Sequence, residues 1–201
     1  MFHDIHTSIH MAKKDLGKCL PPLALPVCLV GSTVEGRPNF CTVAWFTMID
    51  DEPPTIGLVM GKKRRTKDGI IENGTFSINI PDRGLAMKTD YCGLRSGRSV
   101  DKSDIFQVSY GKLATAPMID DCPISIECRM VKVIEMECVD LVLGEIEAVH
   151  VEEGTIIKGK VDPSKIDPLL LWMPEGPYLS LGERVADAYK VGKEYRKKGK
   201  G

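Results

Sequence analysis

The sequence predicts a mainly β protein, a β-barrel with a few short helices at its periphery. First, strand patterns dominate, most clearly over residues 123–135 and 139–151, where apolar and polar side chains alternate. Second, segments with helical periodicity are few and short. Third, a chain of 201 residues, 43% apolar and 27% charged, is typical of one globular domain.

The composition argues against several functional classes. A net charge of −1 gives no overall attraction to nucleic acid or anionic membranes, so any anion site must be local. No apolar run approaches the roughly 18 residues of a spanning helix, and the N-terminus does not resemble a signal peptide. The seven cysteines are an odd number without a CxxC pair. Reduced thiols and a cytoplasmic location are therefore expected.

The chain divides into a polar tail over residues 1–20, a domain over 21–195 and a basic tail over 196–201. The first ten residues can be a tag, or can precede an alternative start at Met11. A loose tail is the simplest interpretation of this segment, and no metal site is assigned. On a helix, one face would carry three potential metal ligands: His3, His6 and His10.

A hairpin opens the domain. A short strand over residues 26–31 is followed by turn-forming residues over 32–38 and a second strand over 39–45. The alternation of side chains puts Thr42 and Ala44 on one face of this second strand. The opposite face is predicted to carry Asn39, Cys41, Val43 and Trp45.

A strand over 55–60, a helix over 67–73 and a strand over 76–80 follow. Thr66 is the candidate N-cap of this helix, and Gly74 is the glycine that ends it.

The second half of the domain begins with a short helix ending at Gly93 and a polar loop over 95–102. In the long strand over 123–135 the apolar phase changes at Val131, which predicts either a β-bulge or a sharp bend. Residues 162–178 are predicted to be an irregular wrap, and 183–190 a last amphipathic helix.

A basic run precedes the first helix, where five of the six residues 62–67 are lysine or arginine. Cationic side chains, the Thr66 hydroxyl and the free N–H groups of a helix start are complementary to a phosphate monoester. A solvated charged loop and a nuclear-localisation or nucleic-acid patch remain alternatives.

The neighbouring strand can supply a wall for a planar ring. Trp45 offers an aromatic surface and Asn39 a polar edge, although a core tryptophan is the more common role. If Cys41 lay beside a redox-active ring, its thiol could form a relay to that ring. Cysteines in buried strands are, however, usually small core residues. Lys102 is a candidate second cation for the phosphate, or a surface residue. No P-loop, GxGxxG, GxSxG or HExxH motif is present, so hydrolase and Rossmann-type functions lose support.

With these residues in place, the chain resembles the flavin reductase-like family of FMN-binding split barrels, particularly flavoredoxin-type proteins. The resemblance covers residues 20–195 and depends on the order and spacing of several short motifs. These motifs are Asn39-x-x-Thr42-x-Ala44-Trp45, the 62–66 loop, Phe76-x-Ile78-Asn79-Ile80-Pro81, Asp90-Tyr91-x-Gly93, Ser96-Gly97-Arg98-x-x-Asp101-Lys102 and Tyr178-x-x-Leu181-Gly182.

The resemblance implies a six-stranded antiparallel Greek-key split barrel, and a homodimer with FMN near the subunit interface. Its implied flavin site places the isoalloxazine ring along the 39–45 strand, the phosphate at the basic loop and two further residues nearby. The implied residues are Asn39, Cys41, Thr42, Val43, Ala44 and Trp45 for the ring, Lys62, Arg64, Thr66 and Lys102 for the phosphate, and Asn79 and Tyr91 nearby.

The leading functional hypothesis is an FMN-dependent oxidoreductase or electron-transfer flavoprotein, with NAD(P)H or a redox protein as electron donor. No catalytic acid or base is assigned to the protein. A flavin-binding module without turnover is the second hypothesis, and a small nucleic-acid-binding barrel is the third. The third lacks aromatic residues interleaved with the basic run, as stacking platforms require.

Overall fold

The structure is a computed structural model that describes residues 12–195. The three tail histidines and the basic tail over 196–201 therefore lie outside the described residues.

The described residues form short helices and many strands, each bounded as follows. The strands are β1 Leu23–Pro26, β2 Cys28–Val34, β3 Arg37–Val43, β4 Phe46–Asp51, β5 Pro54–Gly61, β6 Thr75–Ile80, β7 Val108–Ser109, β8 Met118–Ile119, β9 Ile124–Glu135, β10 Val139–Val151, β11 Ile156–Ile157, β12 Lys160–Val161, β13 Leu170–Met173 and β14 Tyr178–Leu179. The α-helices are α1 Arg65–Asn73, α2 Ala86–Leu94 and α3 Pro163–Ile166, with 3-10 turns at Arg83–Leu85, Glu153–Thr155 and Val191–Glu194.

One antiparallel sheet organises the fold, with strand order β3-β2-β6-β9-β10-β5-β4. The prediction of a mainly β protein with a few short helices is confirmed. The main sheet has seven strands rather than the six that the resemblance implied. Over residues 12–195 no ladder joins its edge strands β3 and β4, so the barrel is not closed. Next to the Phe46–Leu58 pair, the Val59 N–H donates to the Trp45 carbonyl at 2.8 Å, which extends the pairing of β4 with β5 by one residue.

Two apolar clusters lie on opposite faces of this sheet, because alternate residues of each strand point in opposite directions. Cys41 and Val43 of β3 enter the larger cluster with Phe76 and Val142. Phe40 of β3 enters the second cluster, beneath α2 and the loop that follows it. The predicted alternation therefore holds within β3, but it ends at Val43.

Trp45 departs from the predicted face. Strand β3 stops before it, and the chain turns at Ala44 and Trp45 into β4. The Trp45 side chain is consequently 40% exposed rather than buried beside Cys41 and Val43.

Several boundaries follow local sequence signals, and others do not. Gly74 ends α1 with φ 68°, as its lack of a side chain predicts, and its N–H donates to the Ile70 carbonyl. Thr66 is not the N-cap, because α1 begins at Arg65, two residues before the predicted start, and Arg64 is the N-cap. Strand β4 was missed by the sequence analysis, and β13 lies within the segment predicted to be irregular. The helix predicted over 183–190 is absent, and within the described residues 12–195 nearly all of that segment is exposed, so it lacks the packing that a short helix depends on.

Of the two alternatives predicted at Val131, a bulge or a sharp bend, the structure has the bulge. Leu143 pairs with Lys132 and Gly144 pairs with Met130, so Val131 has no partner in β10.

We expect Gly144→Ala to lower the free energy of unfolding by about 1–3 kcal/mol, the usual cost of overpacking a core. An added Cβ would lie 2.7 Å from Phe76 Cε1 and 3.2 Å from Cys128 Cβ, both fully buried. Denaturant unfolding measures the effect. The matched control is Gly182→Ala, whose added methyl meets no atom within 4 Å. Equal stabilities of the two variants would contradict the prediction.

Candidate functional site

The start of helix α1 carries an uncompensated positive charge. The N-cap residue Arg64 is extended and its side chain makes no cap, while its carbonyl accepts a hydrogen bond from the Lys67 N–H at 3.1 Å. The N–H groups of Arg65 and Thr66 come too early in the helix to have an intrahelical partner. Lys62 and Lys63 are exposed, and Arg64 is half-buried. Among the described side chains none of these three takes part in an ion pair, which favours an anion at this helix start.

The other two cations of the basic run point elsewhere. Lys67 forms a buried ion pair with Asp140 of β10. Arg65 pairs with Glu35 and, at 3.5 Å, with Asp68. The structure thus divides the run into a cationic loop over 62–64 and two internally paired residues.

Lys102 is buried close to the same helix. Its side chain is only 2% exposed, and its Nζ donates to the carbonyl oxygens of Phe40 at 3.0 Å and Cys92 at 2.9 Å. No described carboxylate lies in salt-bridge contact with it. Burial lowers the pKa of this ammonium group. The Lys102 ammonium therefore joins β3 to α2 through these two hydrogen bonds. Its positive charge has no carboxylate counter-ion among the described residues.

Asn39 and Thr66 connect the strand to the helix start. The Asn39 Nδ2 donates to Thr66 Oγ1 at 2.7 Å, and Ser32 Oγ donates to the Thr66 carbonyl at 2.7 Å. Both Asn39 and Thr66 are buried, so these hydrogen bonds fix the orientation of α1 against the end of β3.

A small cavity of about 230 Å³ lies between the end of β3 and the end of β5. Its walls come from 42–45, 59–61, Arg64 and Met173. Helix α2 approaches this wall closely because Gly93 has no side chain, and an added Cβ would lie 3.3 Å from Thr42 Cβ. Arg64 Nη1 donates to the Gly93 carbonyl at 3.0 Å, which holds the guanidinium at the cavity. Met173 was missed from the sequence because it arrives from β13.

A larger apolar cavity of about 390 Å³ adjoins the first one. None of its lining residues is charged, and it shares Ala44, Trp45, Val59 and Met173 with the smaller cavity. The lining residues are Leu20, Pro21, Leu23, Leu25, Ala44, Trp45, Phe46, Thr47, Ile49, Gly57, Val59, Leu141 and Met173. The two cavities together combine a cationic end with an apolar, aromatic wall.

Some predicted residues do not present side chains to this site. Cys41 and Val43 point into the core, and burial raises the pKa of the Cys41 thiol, which disfavours a thiolate relay. The Asn79 amide is fully buried and bonded: Nδ2 donates to Leu29 O and Ser77 Oγ, and Oδ1 accepts from Ile119 N and Ser125 Oγ. Tyr91 lies half-exposed on α2, outside the set of residues lining the two cavities.

A second polar cluster, which sequence reasoning missed, surrounds Glu127 of β9. Its buried carboxylate accepts hydrogen bonds from Leu113 N at 2.7 Å, Lys112 N at 3.1 Å and His150 Nε2 at 2.9 Å. Burial alone would raise the pKa of this carboxyl, but the three hydrogen bonds outweigh it and hold the pKa below its usual value. The cluster fastens the loop before β8 to the sheet.

The depressed pKa of Glu127 predicts a loss of stability in acid. The carboxylate stabilises the fold above its unfolded pKa of about 4.3, and this contribution is lost as pH falls through the lower folded pKa. We expect the free energy of unfolding to fall between about pH 5 and pH 3 more steeply in the wild type than in Glu127→Gln. Urea unfolding across that range measures the slopes. Glu72→Gln, at an exposed position, is the control and should keep the wild-type slope.

Over residues 12–195, no three histidine, cysteine, aspartate or glutamate side chains form a group that could hold a metal ion. None of the described helices has the length and apolar character needed to cross a membrane.

Comparison with known proteins identifies relatives of the whole domain. A family profile described as "Flavin reductase like domain" matches residues 21–176. The flavoredoxin of Methanosarcina acetivorans is 42% identical in sequence and superposes with a TM-score of 0.87, over 90% of this chain and 98% of that one.

Two further solved structures resemble this chain. The flavoredoxin of Desulfovibrio vulgaris (Miyazaki F) is 32% identical with a TM-score of 0.84, covering 90% of this chain and all (100%) of that one. An FMN-binding protein from Thermus thermophilus, solved with bound p-hydroxybenzaldehyde, is 27% identical with a TM-score of 0.74, covering 88% of this chain and 98% of that one.

Proposed function

This chain belongs to the flavin reductase-like family, and from that membership we propose that it is a flavoprotein that binds FMN through one domain over residues 21–195. The single observation that carries the proposal is Lys102, a buried ammonium without a carboxylate partner among the described residues, beside an uncapped, cationic helix start. A buried charge is costly unless it is paired, so a bound anion would stabilise this arrangement. Similarity to an FMN-binding protein and to flavoredoxins supports FMN as that anion.

The proposed phosphate site consists of the loop over 62–64, the first N–H groups of α1, and Lys102. Asn39 and Thr66 hold this helix start against β3. In this proposal the Thr66 N–H, which comes too early in the helix for an intrahelical partner, donates to the phosphate. Phosphate binding at a helix N-terminus with nearby cations is favourable because dipole, hydrogen bonds and charge act together.

The proposed ring site is the pair of cavities lined by 42–45, Val59 and Met173. In this proposal Trp45 supplies an aromatic wall and the 41–44 backbone lies along the ring. Cys41 and Val43 contribute main chain only, since their side chains face the core. Asn79 is left out of the site, because every hydrogen-bonding atom of its amide is already used.

Bound FMN would supply the redox chemistry, and the protein would supply binding, orientation and electrostatics. Arg64, which lines the smaller cavity, would favour the reduced, anionic form of a flavin ring bound there. We propose that the chain acts as an oxidoreductase that takes electrons from NAD(P)H or from a redox protein, and that it does so as a homodimer. A flavin carrier without turnover is the alternative. Nucleic-acid binding is not proposed, because Arg65 and Lys67 of the basic run are already paired with carboxylates.

Absorbance spectroscopy of the purified protein tests the proposal. We expect saturable FMN binding with a perturbed flavin spectrum, and bleaching when NADH or NADPH is added without oxygen. If the bound flavin is bleached by neither NADH nor NADPH, the result would favour the alternative, a flavin carrier without turnover. Failure to bind FMN after attempted reconstitution, by a protein that remains folded, would overturn the flavoprotein proposal.

A further inference from the structure

The C-terminal arm, residues 181–195, carries an amphipathic pattern that the single chain does not use. Leu181, Val185 and Tyr189 recur at every fourth residue and would form one face of a helix. On such a helix Arg184, Asp187 and Lys190 would lie on the opposite face, and Asp187 already forms ion pairs with the other two in the non-helical arm. The sequence thus specifies a helix with one apolar and one charged face.

In the single chain this helix does not form. The arm over 182–190 has no helical structure, Val185 is 98% exposed and Tyr189 is 95% exposed. A helix shorter than about 12–15 residues is marginal in water and depends on packing of its apolar face. The arm is therefore a helical sequence that lacks its packing surface.

The larger apolar cavity is the opposite case: it is an apolar packing surface that no segment within residues 12–195 of the same chain fills. Its rim includes Leu20, Leu23, Trp45 and Ile49, which are 40–52% exposed. Exposed apolar patches of this kind mark sites of contact with other molecules. The uncharged lining matches the apolar face of the arm, while the ion-paired face would remain in water.

We propose that in a dimer the C-terminal arm of one copy folds as an amphipathic helix over the apolar cavity of the second copy. The side chains of Val185 and Tyr189 fill the cavity, and the exchange is reciprocal in a two-fold dimer. The start of the arm is fixed by Tyr178, whose Oη donates to Asp90 Oδ1 at 3.2 Å. Beyond that anchor, residues 179–193 are exposed except for the half-buried Asp187, which leaves the arm available to a neighbour.

The arm would also complete the flavin site. The cavity it covers shares Ala44, Trp45, Val59 and Met173 with the smaller cavity beside Arg64. Docking from the second copy would bury Trp45 and exclude water from the apolar wall. The arm contact itself does not depend on flavin, so flavin-free protein tests it separately from the proposed function.

Light scattering on flavin-free, full-length protein is the first test. We expect a wild-type dimer, and at least a hundredfold weaker dimerisation in Val185→Asp/Tyr189→Asp. The reciprocal variant Ile49→Asp, in the cavity, should weaken dimerisation to a similar extent. The control Ile157→Asp changes a comparably exposed residue on β11, outside both surfaces, and should remain dimeric. A monomeric wild type, or arm variants that stay dimeric, would overturn the proposal.

Cross-linking identifies the contact directly. Copies carrying Val185→Cys are mixed with copies carrying Ile49→Cys, and the exposed Cys19 and Cys138 are changed to serine in both. A disulfide between the two different copies, identified by peptide mass, is expected. A disulfide that forms only when both cysteines are on one chain would show that the arm closes on its own cavity, and would overturn the exchange.

Discussion

Lys67→Met is expected to lower the free energy of unfolding by about 3–5 kcal/mol, because it leaves the buried Asp140 carboxylate without its partner. Lys67 and Asp140 are 7% and 4% exposed, and they join α1 to β10. One oxygen of Asp140 already has no hydrogen-bond partner, so the substitution would isolate the entire carboxylate. Chemical denaturation measures the change.

Two further variants make this result specific. Lys67→Met/Asp140→Leu should recover most of the lost stability, since a buried ion pair replaced by apolar residues is often neutral. Lys62→Met, in the same basic run but exposed, should stay within about 0.5 kcal/mol of the wild type. If Lys67→Met were no less stable than Lys62→Met, the buried ion pair would not be the stabilising contact described here.

Lys102→Met is expected to weaken FMN binding by about tenfold to a hundredfold, the equivalent of roughly 1.5–3 kcal/mol for a hydrogen bond to a charged group. The substituted side chain is similarly long but uncharged, so the counter-charge for the proposed phosphate is removed. The stability of the flavin-free protein should change much less. Loss of the two bonds to Phe40 and Cys92 is offset by removal of an unneutralised buried ammonium.

Fluorescence titration of FMN, together with unfolding of the flavin-free protein, measures both quantities. Lys112→Met is the matched control, because Lys112 Nζ also donates to a carbonyl, that of Glu147 at 3.1 Å, but is exposed and outside the site. This control should bind FMN as the wild type does. A similar loss of affinity in both variants would remove the special role assigned to Lys102.

The sequence predicted the features that depend on neighbouring residues. The alternation in β9 and β10 gave their extent and the bulge at Val131, since side-chain direction follows from strand geometry. The glycine at 74 ended α1 because few other residues adopt its backbone conformation. The sequence did not predict strand β4, because this strand lies exposed at the edge of the sheet and its residues show no alternating apolar pattern.

The candidate site was predicted in outline but not in its detailed contacts. The basic run and the 39–45 strand do meet, as the short motifs implied. The sequence could not indicate that Met173 would reach the same cavity, because a pairing between β1 and β13 brings it there. Nor could it indicate that Glu127, rather than a nearer carboxylate, would pair with His150.

The sequence by itself determined the mainly β class, the bounds of β5, β6, β9 and β10 to within one residue, and the presence of a local basic run, because these depend on residues close together in the chain. Only the tertiary structure decided which cations of that run remain free. A helix advances by about 100° per residue, so α1 turns Lys67 inward to Asp140, 73 residues away, while residues 62–64 stay outside. It likewise decided that the Lys102 ammonium is buried against two carbonyls without a carboxylate, since that depends on how α2 and its following loop pack over the edge of β3.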